Sequence, residues 1–149
     1  MKTVLIKKLV SQATAIGMIL ASSLLFIPLA HAVEKTSPQV QIPATSDAIW
    51  QSIDKEIDQL DKVIQTGKLE DVHHNAFAIR DLAGALPAHS SSLPVDKLNQ
   101  VKANNKFVAT LAERLDATGD AKDKAGTEAN FEKLKTVLKT IRANYPSAR

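Results

Sequence analysis

The sequence predicts an all-α protein, an antiparallel up-down-up-down four-helix bundle. Three observations predict this class. Apolar residues recur at steps of three or four along four segments, and no segment alternates apolar and polar residues as a strand would. Short breaks that contain glycine or proline separate the four segments. Each predicted helix carries one apolar stripe, which it can bury only against the other helices.

Residues 1–32 have the pattern of a secretory signal peptide. Three lysines precede an apolar run over residues 15–29, which is short for a membrane span, and Ala30-His31-Ala32 supplies the small residues of a cleavage site. We therefore expect export to the periplasm, a mature chain that begins near Val33, and no membrane association after cleavage. The alternative is an uncleaved membrane anchor.

The composition of the mature chain excludes several kinds of function. The leader holds three of the 19 basic residues and none of the 16 acidic ones, so the net charge of +3 belongs to the leader and the rest is neutral. A neutral chain gives no reason to expect a nucleic-acid partner. Both methionines also lie in the leader, and the chain has no cysteine. Disulfides, thiol catalysis and thiolate metal sites are therefore excluded.

The mature chain is long enough for one domain. Residues 33–45 contain two prolines and no helical period, so we expect a flexible tether, followed by a bundle domain over residues 46–146. Gly67, Pro87 and the run Thr118-Gly119-Asp120 are expected to end the first three helices. The helices are predicted over residues 46–65, 69–86, 94–117 and 121–144.

Two adjacent histidines, His73 and His74, are the most distinctive polar residues of the second helix. A rotation of 100° per residue puts His73 on the shoulder of the apolar stripe and His74 facing away, so we expect the two to diverge and not to share one metal ion easily. A hairpin about Gly67 puts Asp61 opposite His73, and Glu70 lies one turn before the pair. His73, assisted by Asp61 and Glu70 with His74 peripheral, could hold Zn²⁺, Ni²⁺ or Cu²⁺ at modest affinity. The alternative is a partly buried His73 bonded to a carboxylate.

Asn105 interrupts the apolar row of the third helix. A buried amide needs hydrogen-bond partners, so Asn105 either fixes the register between helices or lines an interior pocket with His73 or Arg80. Trp50 is expected at the edge of the core, and Arg80 is expected to pair with Asp81 or to pack. No Ser-His-Asp set, glycine-rich phosphate loop, H-E-x-x-H or EF-hand spacing is present, so we do not expect an enzyme.

Two stretches near the end, LDATGD (115–120) and EKLKTVLKTIRANY (132–145), are similar to the corresponding segments of the cytochrome b562 and cytochrome c′-like periplasmic four-helix bundles. In the b-type members a similar ending is followed by a haem-ligating histidine, and this chain has Pro146 there. Their second ligand is a methionine on the first helix, and the c-type members attach haem through C-x-x-C-H. The mature chain has neither, so the resemblance implies the fold without the haem.

The segment VHHNAFAIRDLAGALP (72–87) resembles small periplasmic proteins encoded beside heavy-metal efflux systems of Gram-negative bacteria. The sequence thus predicts a non-haem bundle that binds a divalent transition metal (zinc, copper(II) or nickel) in metal homeostasis or resistance. One alternative is a ligand-free interaction module, for example a partner of a membrane efflux complex, with Phe107 and Val137 as its candidate exposed residues. Another is haem binding through His73 with a nonstandard second ligand.

Overall fold

The computed structural model describes residues 40–146. The predicted signal peptide and residues 33–39 of the predicted tether lie outside the described residues. Residues 40–146 form four α-helices and two short 3₁₀ turns, with no strand among them, so the predicted all-α class is confirmed. The helices are α1 (Ser46–Thr66), α2 (Val72–Ala85), α3 (Val95–Asp120) and α4 (Lys124–Arg142).

Helix α1 begins and ends close to the predicted residues. The Thr45 side chain accepts a hydrogen bond from the backbone N–H of Ala48, which satisfies one of the free donors of the first turn. Gly67 has a φ of 74° and its N–H bonds back to the carbonyl of Ile64. This left-handed conformation ends the helix as predicted, because glycine adopts it without a Cβ clash.

Helix α2 is flanked by the 3₁₀ turns Leu69–Asp71 and Leu86–His89. Pro87 lies inside the second turn, because a proline near the start of such a turn loses no hydrogen bond that the turn needs. Before α1, Val40 packs against the core and the carbonyl of Ala44 contacts His89 Nδ1 at 2.9 Å.

The prediction that Thr118-Gly119-Asp120 ends the third helix is wrong. Helix α3 continues through Asp120, and Gly119 is buried inside it. A Cβ added to Gly119 would lie 2.6 Å from the carbonyl oxygen of Leu69, so this glycine permits a close approach between two backbones. Helix α4 starts later than predicted because Asp123 caps it, accepting a hydrogen bond from the N–H of Gly126.

The apolar stripes of all four helices meet in one core. The stripe predicted for the second helix is buried at every residue, in α2 and in the two flanking 3₁₀ turns: Leu69, Val72, Ala76, Ile79, Ala83 and Leu86. Within residues 40–146 the largest fully buried side chains come from all four helices and from the 3₁₀ turn after α2: Ile49, Ile53, Leu60, Val72, Ile79, Leu82, Leu86, Val101, Val108, Leu115, Leu134 and Ile141. Burying such side chains contributes about 1.5–3 kcal/mol each before the entropy cost of ordering the chain, so the core is the main source of stability.

The helices pack mainly on their neighbours in the chain. Helix α2 lies against α1 and α3, and α4 lies against α3, whereas α1 and α4 touch at few points. The seam between α1 and α4 is therefore the least packed of the bundle. None of the helices formed by residues 40–146 is long and apolar enough to cross a membrane.

Replacing Gly119 by alanine tests the close contact between α3 and the turn before α2. The new methyl group meets the Leu69 carbonyl, so Gly119→Ala should lower the free energy of unfolding by about 1–3 kcal/mol despite the better helix propensity of alanine. Gly84→Ala is the matched control, because no atom of the part of the chain that the structure describes lies within 4 Å of its added Cβ, and it should be neutral or stabilising. Urea unfolding measures both, and equal effects of the two would contradict the close contact.

Candidate functional site

His73 lies in the first turn of α2 and is held in place by the preceding 3₁₀ turn. Its Nδ1 contacts the backbone carbonyl of Glu70 at 2.8 Å, and a carbonyl can only accept, so Nδ1 carries the proton. In the neutral ring the lone pair then lies on Nε2. The half-buried His73 side chain therefore offers one fixed ligand atom.

The helical projection predicts that His74 diverges from His73, and this prediction is wrong. The centroids of the two imidazole rings are 3.8 Å apart, and the ring planes are inclined by 42°. A step of one residue separates the Cα–Cβ directions by about 100°, but each ring extends beyond Cβ on two rotatable bonds. The exposed ring of His74 thus lies against that of His73, and the two form an imidazole pair.

The predicted carboxylate ligands are less well placed than the histidines. The carboxylate of Asp61 accepts a hydrogen bond from Gln65 of its own helix. Glu70 contributes its backbone carbonyl to His73, while its side chain is exposed. Among residues 40–146 no three His, Asp or Glu side chains come together as a group that could hold a metal ion.

Asn75 connects α1 and α2 beside the histidines. Its Nδ2 donates to Glu56 Oε2 at 2.8 Å and to Gln59 Oε1 at 3.1 Å. Gln59 and Asn75 are equally far from Gly67 in the sequence, and so are Asp61 and His73. A hairpin that pairs the first two residues therefore has the register predicted to put Asp61 opposite His73.

Asn105 connects α3 to α2. Its Nδ2 donates to the carbonyl of Ala83 at 2.7 Å, whereas its buried Oδ1 has no hydrogen-bond partner among the described residues. The contact favours the interpretation of Asn105 as a residue that fixes helix register. Arg80 pairs with Asp81 at 2.8 Å, as predicted, and its guanidinium lies over the ring of Phe77.

A second cluster, which the sequence analysis missed, lies where the start of α1 meets the end of α4. The Arg142 guanidinium stacks on the indole of Trp50, with Cζ 4.3 Å from the ring centroid, and its Nη2 bonds to Asp54 Oδ1 at 2.7 Å. The ring of Tyr145 meets the indole edge to face at 5.6 Å. We call Trp50, Asp54, Arg142 and Tyr145 the seam cluster. The only Trp and the only Tyr of the chain belong to it.

Trp50 is only 7 % exposed, and its Nε1 has no acceptor among the described residues. A buried donor without a partner costs about 1–3 kcal/mol. Next to it, the hydroxyl of Tyr145 lies 2.8 Å from Ser90 Oγ. Burial raises the pKa of Tyr145 above 10.0, because desolvation disfavours the phenolate, and the hydrogen bond with Ser90 acts in the opposite direction.

Comparison with known proteins adds no relative. No protein-family model, curated protein or solved structure matches this chain.

The seam cluster predicts how Tyr145 titrates. Because the chain has one tyrosine, the ultraviolet absorbance of the phenolate reports on Tyr145 alone. The folded protein should ionise above pH 10.0, and the protein unfolded in urea should ionise near it. Since the pKa of Tyr145 is higher in the folded state, its contribution to the free energy of unfolding is fully present below pH 10. This contribution is lost as the pH rises through the folded pKa. A folded protein that ionises at or below the unfolded value would contradict the buried position of Tyr145.

Proposed function

We propose that this protein is a periplasmic, non-catalytic four-helix bundle that binds a divalent transition metal weakly through His73 and His74. The observation that carries the proposal is the imidazole pair, with ring centroids 3.8 Å apart and one ring fixed by a backbone carbonyl. Histidines that bind metals usually donate their other N–H to a carbonyl or carboxylate, as His73 does to Glu70.

Two neighbouring imidazoles can bind one ion when their lone pairs converge on it. With Zn–N bonds of 2.0–2.1 Å and tetrahedral angles, two ligand nitrogens lie ~3.3 Å apart. The 3.8 Å separation is that of the ring centroids, and each ligand nitrogen lies at the edge of its ring, so both rings must turn until their lone pairs converge on the ion. Imidazole nitrogen suits zinc, copper(II) and nickel, and water would fill the remaining positions. Two protein ligands on an exposed surface give weak, exchangeable binding, as a protein that buffers or carries a metal needs.

We infer that the four helices run up-down-up-down, each antiparallel to the next. The contacts between α2 and α3 support this topology. Leu69, just before α2, meets Gly119 near the end of α3, whereas Ala83 near the end of α2 meets Asn105 in the middle of α3. The end of α4 also reaches the first half of α1.

The cellular setting of the proposal rests on the sequence. The leader pattern of residues 1–32 supports export and cleavage, and the two similar stretches in the last third support kinship with the cytochrome b562 and c′-like bundles. Pro146 stands where the b-type members have their haem-ligating histidine, so haem is not part of the proposal. The similarity of residues 72–87 to proteins encoded beside efflux systems supports a role in metal homeostasis or resistance.

Titration calorimetry with Zn²⁺, Cu²⁺ and Ni²⁺ tests metal binding. At least one ion should bind with a dissociation constant below about 100 μM, since two imidazole ligands are present. His73→Ala and His74→Ala should each weaken binding by about tenfold or more, because each removes one of two protein ligands. His89→Gln is the control, because this histidine bonds to the Ala44 carbonyl in a different part of the fold, and it should bind as the wild type does.

No binding of any of the three ions at this level would contradict the proposal. Binding that persists unchanged in His73→Ala or His74→Ala would contradict it as well, because the ion would then occupy other ligands.

A second candidate function, an interaction module, is favoured by Phe107. This large apolar side chain is 60 % exposed on α3, whereas Val137, the other candidate, is half-buried against the core. If a periplasmic or membrane partner covers it, cross-linking in cells should capture that partner, and Phe107→Asp should abolish the capture without lowering stability. Thr110→Asp, an exposed position one turn further on, is the matched control. Capture that survives Phe107→Asp would exclude this surface.

A further inference from the structure

The open seam between α1 and α4 forms a groove. Its wider part has a volume of about 590 Å³ and lies at the seam cluster, and it continues along the helices into a part of about 270 Å³. Trp50, Asp54, Lys139 and Arg142 line both parts, so the two are continuous. Small-molecule sites typically have volumes of 300–1,000 Å³, and this groove is of that size.

Aromatic and aliphatic side chains form part of the walls of the groove. Trp50 and Tyr145 line the wider part, and Ile57 and Leu138 line the narrower one. The buried Nε1 of Trp50 has no acceptor within residues 40–146. Because Nε1 is buried, a ligand reaches it only when the side chains at the mouth of the groove move apart, and an oxygen atom on that ligand would then provide the partner that this N–H lacks.

Lys139 gives the groove one place that favours an anion. Arg142 is balanced by Asp54 at 2.7 Å, and Lys135 by Glu132 at 2.6 Å. Lys139 lines both parts of the groove and has no ion pair among the described residues. Asp47 also lines the wider part, in the first turn of α1, and it would repel an anion there. The negative group of a ligand therefore belongs beside Lys139, away from Asp47.

We propose that the α1–α4 groove binds a small aromatic carboxylate. The ring of the ligand packs against Trp50 and Tyr145, and the carboxylate pairs with Lys139 and accepts the hydrogen bond of Trp50 Nε1. The indole, phenol and guanidinium groups of the seam cluster form a surface on which a flat ring stacks. This site differs from the imidazole pair in residues and in chemistry, so either can fail without the other.

The single indole N–H of the chain provides the test. In a ¹H–¹⁵N correlation spectrum, Trp50 Nε1 gives one cross-peak. Titration with 1-naphthoate should move this cross-peak downfield and saturate, with a dissociation constant below about 1 mM. The neutral analogue 1-naphthylmethanol should bind about tenfold more weakly, because it lacks the charge that pairs with Lys139.

Lys139→Gln should weaken naphthoate binding by about tenfold, because it removes one charge-assisted hydrogen bond. Lys133→Gln is the matched control, an exposed α4 lysine that does not line the groove, and it should leave binding unchanged.

Three results would overturn the proposal. One is a cross-peak that does not move with naphthoate up to about 10 mM, a concentration well above the expected dissociation constant. Another is an equal response to acetate, which would mean that only surface charge attracts the anion. The third is movement with an amphipathic helical peptide but not with naphthoate, which would assign the groove to a protein partner.

Discussion

The close contact between α2 and α3 is the constraint on which the rest of the bundle depends. At one end Gly119 lets α3 approach the carbonyl of Leu69, and toward the other end Asn105 donates to the carbonyl of Ala83. Short turns join α1 to α2 and α4 to α3, so this central pair positions both outer helices. The α1–α4 seam has few contacts of its own and is held by the polar and aromatic groups of the seam cluster.

This arrangement puts the two candidate sites at opposite ends of α2. The imidazole pair lies at the start of the helix, and the turn that follows its end contributes Ser90, which bonds to Tyr145 of the seam cluster. Fourteen helical residues separate the ends by about 20 Å. A metal ion and an organic anion would therefore bind without sharing ligands.

The sequence predicts the helices well because their signals are local. A period near 3.6 and the left-handed preference of Gly67 depend on nearby residues only, and both predictions hold. The role of Gly119 could not be predicted in this way. The same residue type ends one helix and permits a close approach in another, and only the position of Leu69 in space distinguishes the two roles.

The candidate sites depend on side-chain positions, and here the sequence is less informative. A helical projection gives the direction of Cβ and not the position of a ring, so it separates His73 from His74 although their rings are in contact. The seam cluster depends on a meeting of the two ends of the bundle domain. The sequence did contain a signal for this cluster. The only Trp and the only Tyr of the chain lie near the start of α1 and the end of α4, and these two ends are neighbours in an up-down bundle.

The central claim is that both imidazoles bind the same metal ion, and electron paramagnetic resonance of the protein with one equivalent of Cu²⁺ tests it most directly. The account predicts coupling of the copper to two imidazole nitrogens in the wild type and to one in His74→Ala. A wild-type spectrum with one imidazole nitrogen or none, or a spectrum that His74→Ala leaves unchanged, would contradict the account.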